Sequence, residues 1–388
     1  MKDGSLSGNR IKLLESGAEY FPALLAAIEA AQSEILLETY IFQRDSTGEQ
    51  VAAALRAAAL RGVVVRVMVD GFGGRSFAED TMPDLAADGV EVFIYRREIR
   101  VFSLGRSRLR RLHRKLAIVD GRIAFVGGIN IINDMDTPGQ IPPRVDFAVR
   151  IEGPLVVRIH NAMVHLWRIV SWASLRRRLE TLAWVTPIRK RVGRVRAKFL
   201  MRDNLGHRRD IEAAYLQAIE GAQREVLIAN AYFFPGRAFR HALIEAAQRG
   251  VKVTLLLQGR VEYWFLFHAC RVLYPYLLGA GVRIVEYRKS FLHAKVAVVD
   301  DGWATVGSSN IDPFSLLLAR EANLVILDQA FAAKLRKSLE RIMAEGGVEL
   351  TLAGWQRQTL WMRLVSWFAY GTVRAAIGLA GYRGRQSL

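Results

Sequence analysis

Two copies of one short motif carry the residues of this sequence that are best suited to chemistry. Each copy reads H-x-K-x-x-x-x-D and is followed by a turn of small residues that ends in asparagine. The spacing from histidine to asparagine is the same in both copies, so the repetition is not accidental. The residues are His113, Lys115, Asp120 and Asn130 in the first copy, and His293, Lys295, Asp300 and Asn310 in the second.

Two imidazoles and two fixed positive charges fit an attack on a phosphodiester. One neutral imidazole can attack phosphorus and form a phosphohistidine, while the other, protonated, gives a proton to the leaving alcohol. A histidine pKa of roughly 6.5 lets both forms exist near neutral pH. The two lysines, together with Asn130 and Asn310, can hold the non-bridging oxygens and neutralise the charge that develops on them.

Four carboxylates accompany these residues. Asp146 and Glu321 occupy matching late strands, where a carboxylate can accept the Nδ1 hydrogen of a catalytic histidine and set its tautomer. Asp120 and Asp300 complete the motifs and are therefore catalytic candidates, but each follows its strand directly at a turn. We favour a structural role for these two, in which they pair with local backbone or with a basic side chain.

The motif strands must present histidine and lysine together. Residues i and i+2 project from the same face of a β-strand, so each histidine shares a face with its lysine. Helical periodicity alternates with short β-branched runs, which is typical of an α/β layered sandwich. The sequence predicts helices at 18–32, 48–61 and 79–88, and strands at 34–41, 63–69, 90–95, 115–119 and 123–127.

The duplication extends beyond the motifs. Residues 26–37 match 216–227, and residues 61–67 match 249–255, in the same order along the chain. Such repetition predicts two homologous α/β/α sandwich halves rather than a solenoid. The expected divisions are an N-terminal half at 1–175, a basic linker at 176–209, a C-terminal half at 210–345 and a basic, Trp-rich tail at 346–388.

Composition narrows the class of protein. The 388 residues are 51% hydrophobic and 24% charged, which supplies packed cores and argues against disorder. The formal net charge of +18 indicates an anionic partner, either nucleic acid or an anionic membrane. Cys270 is the only cysteine, which excludes an internal disulfide or a Cys-based metal cluster. No spacing of histidines or carboxylates suggests a metal site.

The features that could meet a membrane are interfacial. The sequence predicts no secretory signal, and no apolar run of about 20 residues predicts a spanning helix. The basic stretch 174–209 is either a solvated linker or a surface for lipid headgroups. Three tryptophans lie beside it: Trp167, Trp172 and Trp184. From residue 351 the tail mixes tryptophan with arginine and has no acidic residue, which favours an interfacial helix over one buried on the core.

The doubled motif resembles that of the phospholipase D superfamily, whose two halves each contribute one motif to a single active site. Strings at 37–42, 229–235 and 303–310 are similar to those of bacterial cardiolipin synthases, in particular the type without N-terminal membrane spans. The resemblance covers about residues 10–345. It implies a phospholipase D-like fold of two α/β/α halves that form one shared active site.

The same resemblance implies a metal-independent phosphatidyl transfer with no cofactor. One phosphatidylglycerol gives its phosphatidyl group to a histidine and releases glycerol, and a second phosphatidylglycerol attacks to give cardiolipin. His113 is then the nucleophile and His293 the general acid and base. The implied partners are anionic phospholipids (phosphatidylglycerol and cardiolipin) and the bacterial inner membrane, bound peripherally; no nucleic acid is expected.

Other functions stay open at this point. A phospholipase would use water and another phosphatidyltransferase a different alcohol, and the choice depends on how well the closed site excludes water. A nuclease of the same superfamily would suit the positive charge, but the Trp-rich tail has no use on DNA. A non-catalytic membrane-binding protein would not explain two intact motifs.

Overall fold

The structure, a computed structural model, describes most of the chain. The described residues are 4–96, 111–137, 141–173, 184–203, 206–261, 264–312, 315, 319–356 and 360–379. Several arginines of the basic stretch 174–209 and of the tail lie outside them: Arg176, Arg177, Arg178, Arg357, Arg383 and Arg385.

The N-terminal half alternates helices and strands much as its sequence pattern predicts, with an additional strand at its start. The elements are β1 (Leu6–Glu15), α1 (Ser16–Glu29), β2 (Glu34–Thr39), α2 (Ser46–Leu60), β3 (Val64–Asp70), α3 (Arg75–Asp80), α4 (Met82–Ala87), β4 (Glu91–Tyr95), β5 (Lys115–Val119), β6 (Ile123–Gly127), β7 (Arg144–Val145), β8 (Phe147–Glu152) and α5 (Val156–Ala173). The helix predicted at 79–88 is two short helices, α3 and α4.

The C-terminal half repeats this order and adds a helical tail. The elements are β9 (Val195–Arg202), α6 (Asp210–Gly221), β10 (Glu225–Asn230), α7 (Arg237–Gln248), β11 (Lys252–Gln258), α8 (Trp264–Arg271), α9 (Tyr274–Gly279), β12 (Arg283–Tyr287), β13 (Phe291–Leu292), β14 (Lys295–Val299), β15 (Trp303–Gly307), β16 (Glu321–Leu327), α10 (Gln329–Gly346), β17 (Gly347–Leu350), α11 (Leu352–Gln356) and α12 (Leu360–Leu379).

Fifteen of these strands form one continuous sheet within the described part of the chain. The order β8-β6-β5-β2-β3-β4 in the N-terminal half is matched by β16-β15-β14-β10-β11-β12 in the C-terminal half. The antiparallel pair β1–β9 joins the two halves, β17 extends the C-terminal edge, and β7 and β13 pair separately. The topology therefore confirms the duplicated α/β fold.

Strand β9 lies inside the range predicted as a basic linker, 176–209, so the structure moves that boundary. It pairs with β16 along its whole length and with β1 at its start. Side chains alternate along a strand: Val195, Ala197 and Phe199 join an apolar cluster, while Arg196 is exposed. The high count of basic residues in this stretch concealed that alternation.

The apolar faces of the elements explain the layering. Strands β5 and β14 are buried at every position, as expected of central strands covered on both faces. One face of each half packs beneath its own helices, α1 and α2 in the first and α6 and α7 in the second. The other faces of both halves share a single cluster with α5 and α10. The two motifs are therefore carried by halves that pack on each other.

The tryptophans beside the basic stretch do not form one lipid-facing surface. Trp167 is buried, its ring centroid 4.6 Å from that of Phe93. Trp184 is half-buried, with the guanidinium carbon of Arg66 lying 4.2 Å from its ring centroid. Trp172 is exposed. Large aromatic side chains are often buried in protein cores. Composition alone cannot show whether a tryptophan lies on the buried or the exposed face of its helix.

Candidate active site

The two motif strands begin at their lysines. Lys115 and Lys295 are buried at the first position of β5 and of β14. The Nζ atom of Lys115 donates to the carbonyl oxygen of His113 at 2.8 Å, and Lys295 donates in the same way to His293. Each lysine is thereby turned toward its own histidine, as the two-residue spacing predicts.

Each motif histidine is hydrogen-bonded to a carboxylate of the other half. The Nδ1 atom of His113 lies 2.9 Å from Oε1 of Glu321, and Nδ1 of His293 lies 2.6 Å from Oδ2 of Asp146. An ionised carboxylate can only accept, so Nδ1 carries the hydrogen and Nε2 keeps its lone pair free. The predicted contacts are present, and they cross between the halves.

Backbone hydrogen bonds repeat this crossing. The N–H of His113 donates to the carbonyl of Arg320 at 2.9 Å, and the N–H of His293 donates to that of Val145 at 2.8 Å. The short strands β13 and β7 pair in the same region, Phe291 opposite Arg144. Each histidine is therefore fixed by backbone of the opposite half, so both halves are needed to complete either side of the site.

A residue at the end of the third strand of each half supports the segment before the histidine. Asp70 accepts a hydrogen bond from the N–H of Leu112 at 2.8 Å, and Gln258 accepts one from the N–H of Leu292 at 3.3 Å. Our sequence reasoning missed both residues. The signal was available, since both follow the matched segments 61–67 and 249–255 at equal spacing.

The turns after the second strand of each motif differ in one functional detail. Ser308 donates from Oγ to Oε2 of Glu321 at 2.5 Å. The matching residue is Gly128, where an added Cβ would lie 2.4 Å from Oδ1 of Asp146. The glycine is thus needed for the close approach of Asp146, whereas Glu321 is held by an additional hydrogen bond.

Aromatic rings flank both histidines. The ring centroid of Tyr40 is 4.9 Å from that of His113, with the planes steeply inclined, and lies 5.3 Å from Nζ of Lys115. Phe291 lies nearly parallel to His293, at 6.0 Å between centroids. Each imidazole therefore has an aromatic neighbour on one side.

The two motif asparagines are buried close to their turns. Asn130 accepts a hydrogen bond on Oδ1 from the N–H of Ile41 at 3.2 Å. Asn310 is also buried, and its Oδ1 has no hydrogen-bond partner among the described residues. Phosphate binding by these asparagines stays a prediction.

Asp120 and Asp300 lie at the opposite ends of the motif strands from the lysines. Strand β5 spans five residues, so the two ends are roughly 16 Å apart. Asp120 accepts backbone hydrogen bonds from residues 32–34, and Asp300 accepts them from residues 223–225. These contacts tie the turn to the start of the neighbouring strand. They are the contacts of the structural role that the sequence favoured, and they leave these two carboxylates away from the histidines.

Burial sets the protonation of the site. It raises the pKa of Asp146 to about 6 and lowers the pKa of Lys115 to about 7, because a charged group loses hydration there. Burial also lowers the pKa of both histidines, most strongly for His293, where the charge of Lys295 adds to the effect. The free site therefore favours two neutral imidazoles.

These shifts predict a narrow pH optimum. As the pH falls through about 6, Asp146 gains a proton and no longer holds His293 as an anion. As the pH rises through about 7, Lys115 loses the charge that would neutralise a phosphate. We expect kcat/KM to fall on both sides, and a bound phosphate to move the alkaline limb of kcat to higher pH. Initial rates across the pH range test this; a flat profile would contradict it.

The chain matches known proteins along nearly its whole length. The family model described as cardiolipin synthase, PLD-like domain matches residues 24–135 and 215–343, one segment in each half. Cardiolipin synthase B of Escherichia coli (strain K12) is 40% identical over 98% of this chain and 92% of its own length. Cardiolipin synthase A of Pectobacterium carotovorum is 30% identical over 95% of this chain and 76% of its own.

A solved structure agrees with this assignment at the level of fold. Phosphatidylserine synthase of Haemophilus influenzae superposes with a TM-score of 0.67 and covers 95% of this chain and 94% of its own. Its sequence identity is 15%, so the likeness concerns the fold alone. The family match in both halves, the near full-length similarity and the paired motifs lead to one conclusion. The chain belongs to the cardiolipin synthase family of phospholipase D-like proteins.

Proposed function

We propose that this protein is a cardiolipin synthase, which transfers a phosphatidyl group between two phosphatidylglycerol molecules. The observation that carries the proposal is the crossed pairing of each motif histidine with a carboxylate of the other half. It leaves two Nε2 atoms free beside two buried lysines, which is the set of groups that a double displacement at phosphorus requires. The names of the relatives supply the lipid substrate.

In the first step, Nε2 of His113 bonds to phosphorus and the bond from phosphorus to the glycerol headgroup breaks. The departing glycerol oxygen takes a proton from Nε2 of His293. The charges of Lys115 and Lys295 stabilise the phosphoryl oxygens. Burial lowers the pKa of His293 most, and the charges of Lys295 and its cationic neighbours add to the effect. A bound phosphate offsets the charges, which helps this imidazole to hold the proton it must give.

In the second step, a hydroxyl of another phosphatidylglycerol attacks phosphorus and the bond to Nε2 of His113 breaks. The proton of that hydroxyl passes to His293, which acts first as acid and then as base. The products are cardiolipin and the glycerol released earlier. Glu321 and Asp146 keep the imidazoles in the tautomer that leaves Nε2 reactive.

The proposal is tested by incubating purified protein with phosphatidylglycerol vesicles and identifying the products by mass spectrometry. Cardiolipin with an equal amount of glycerol is expected. Phosphatidic acid as the main product would instead identify a hydrolase of the phospholipase D type. Transfer only to an added alcohol would identify another phosphatidyltransferase.

We expect activity to survive chelation. Lysine ammonium groups occupy the role that Mg²⁺ plays in many phosphoryl-transfer enzymes. Within the described ranges, no group of three or more histidine, cysteine, aspartate or glutamate residues could hold a metal ion. The measurement is the rate of cardiolipin formation with and without EDTA at matched ionic strength, since divalent ions also screen the lipid surface. Loss of turnover that one divalent ion restores would overturn the mechanism.

We further propose that the protein binds the bacterial inner membrane peripherally through helices α8 and α12. None of the helices that the structure describes is long and apolar enough to cross a bilayer. One face of α12 packs on the protein through Ala369 and Val373, while its other face exposes Trp361 and Phe368. The packed face accounts for one alternative that the sequence left open, and we assign the exposed rings to the membrane interface. Helix α8, which packs against α12, also exposes a tryptophan, Trp264.

Replacing two of these residues is expected to weaken membrane binding. In Trp361→Ser/Phe368→Ser, loss of apolar burial should reduce binding to phosphatidylglycerol vesicles in high salt by at least about tenfold. The matched control is Leu60→Ser, which removes an equally exposed apolar side chain from α2. Sedimentation with vesicles at low and high salt measures the effect. Unchanged high-salt binding of the double variant would exclude this surface as the anchor.

A further inference from the structure

A cavity of about 430 Å³ lies between helix α5, strand β9 and the segments that precede β5 and β16. Five cationic side chains line it, and Asp203 is its one acidic lining residue among those described. The cations are Arg114, Arg158, Lys198, Arg202 and Arg320. Such a concentration of positive charge around one cavity is suited to an anion.

Arg114 is, with Arg202, one of two almost fully buried cations of this cavity, and its guanidinium is incompletely hydrogen-bonded. It is 3% exposed, and its Nη2 atom donates to the carboxylate of Glu38 at 2.8 Å. Its Nε–H is buried without a hydrogen-bond partner among the described residues. An unsatisfied buried donor is costly, and a ligand oxygen in the cavity would satisfy it.

The fold does not require Arg114, Arg202 and Arg320, because the other half lacks a cation at each matching position. Strand registers and matched hydrogen bonds pair these three arginines, and Glu38 beside Arg114, with small or apolar residues of the duplicate, whereas Lys198 is paired with Lys12. The pairs are Arg114 with Ala294, Glu38 with Ala229, Arg320 with Val145, and Arg202 with Ser16. Small or apolar side chains occupy those positions in the other half, so the three arginines have a purpose other than support of the fold.

The cavity adjoins the His113 side of the active site. Arg114 follows His113 directly, and Arg320 supplies the carbonyl that accepts the N–H of His113. Arg202 pairs across the sheet with Glu321, the carboxylate bound to that histidine. The cations of the cavity also lie close enough to repel one another. Burial, together with the charges of Arg208 and Arg320, lowers the pKa of Arg202 to about 10.

We propose that this cavity binds the phosphodiester of the acceptor phosphatidylglycerol, the lipid that attacks in the second step. The inference rests on the proposed function. In that lipid, three carbon atoms separate the attacking hydroxyl from its own phosphate, so a second anion site must lie beside the site of transfer. The duplication provides two similar histidine sites, and this cluster makes them unequal. Water and neutral alcohols carry no phosphate and gain nothing from it.

The test is a competition between two acceptors for one phosphatidyl-enzyme. Purified protein is incubated with phosphatidylglycerol vesicles and ethanol, and the ratio of cardiolipin to phosphatidylethanol is measured by mass spectrometry. This ratio does not depend on the folded fraction of a variant, since both products come from the same intermediate.

Two variants remove the cluster in different ways. Glu38→Ala/Arg114→Ala installs the alanine pair that the duplicate already carries and removes no net charge. Arg158→Gln/Lys198→Gln removes two cations from the rim. The control is Lys337→Gln, an exposed lysine on α10, the helix that matches α5. Loss of charged hydrogen bonds should lower the ratio by about tenfold or more in both cluster variants and leave the control unchanged.

Inorganic phosphate separates a lipid headgroup from a free anion. If the cavity holds the headgroup, added phosphate lowers the product ratio of the unaltered protein and has little effect on the variants. If phosphate raises total turnover without altering the ratio, the cavity is a site for free anions and the inference is wrong.

An unchanged ratio in both cluster variants would likewise overturn the inference while the proposed function stands. Unaltered protein that forms phosphatidylethanol but no cardiolipin would overturn the proposed function itself.

Discussion

Replacing either motif histidine with alanine is expected to reduce phosphatidyl transfer by about a thousandfold or more. The two imidazoles act as a unit, so loss of one removes nearly the whole effect of both. His241→Ala is the matched control, because His241 is exposed and, within the described residues, its one ion pair is with Glu245 of its own helix. The measurement is the initial rate of cardiolipin formation by His113→Ala and His293→Ala.

Trapping with labelled phospholipid assigns the nucleophile. If His113 attacks phosphorus, His293→Ala protein should retain acid-labile phosphate on His113, because the later step lacks its base. Label on His293 in His113→Ala protein, with none on His113 in the converse variant, would reverse the assignment. Substantial transfer by either alanine variant would contradict the double displacement altogether.

The chemistry of the site could be predicted because it depends on residues that lie close together in the sequence. The i, i+2 spacing of His113 and Lys115 requires only that the segment be extended, and the second copy fixes the interpretation. The strands adjoining the motifs could be predicted for the same reason, since buried central strands are continuous apolar runs. The duplication further predicted that the two halves share one fold, because similar sequences form similar structures.

The crossed pairing could not be predicted from these patterns. His113 and Glu321 are 208 positions apart, and His293 and Asp146 are 147 apart. Each carboxylate follows a motif within its own half, so the sequence does not distinguish a pairing inside one half from a pairing across both. The choice depends on how the two sheets pack, which is set by the cluster that both halves share with α5 and α10.

Counts of basic and tryptophan residues predicted the exposed surfaces less well than the spacing of the motif residues predicted the chemistry of the site. The basic stretch contains β9, and Trp167 lies in the core. In the tail, Trp355 is buried against Tyr274, whereas Trp361 is exposed. A tryptophan count sums both faces of a helix, and only the packing of that helix separates them. Alanines stand at the positions of the other half that match Glu38 and Arg114. This difference between the duplicates is the basis of the function that we propose for the cavity.

The carboxylate variants Glu321→Gln and Asp146→Asn are expected to lose about a hundredfold to ten-thousandfold in kcat. Each substitution keeps the size of the side chain but removes the anion that holds Nδ1–H of a histidine of the other half, so the wrong tautomer becomes accessible. The Nε2 lone pair is then no longer reliably directed at phosphorus. The comparison variant is Asp328→Asn, which keeps a capping side chain at the start of α10.

The pH profile separates this role from simple support of the fold. In Asp146→Asn, the residual activity should lose the acid limb near pH 6, because the group assigned to that limb no longer titrates. Glu321→Gln should keep that limb, since Asp146 is intact. A variant that merely unfolds loses rate at every pH and leaves the shape unchanged. Retention of more than about a tenth of the activity by both variants would mean that the crossed hydrogen bonds are not needed for transfer, and the mechanism would have to rest on the lysines alone.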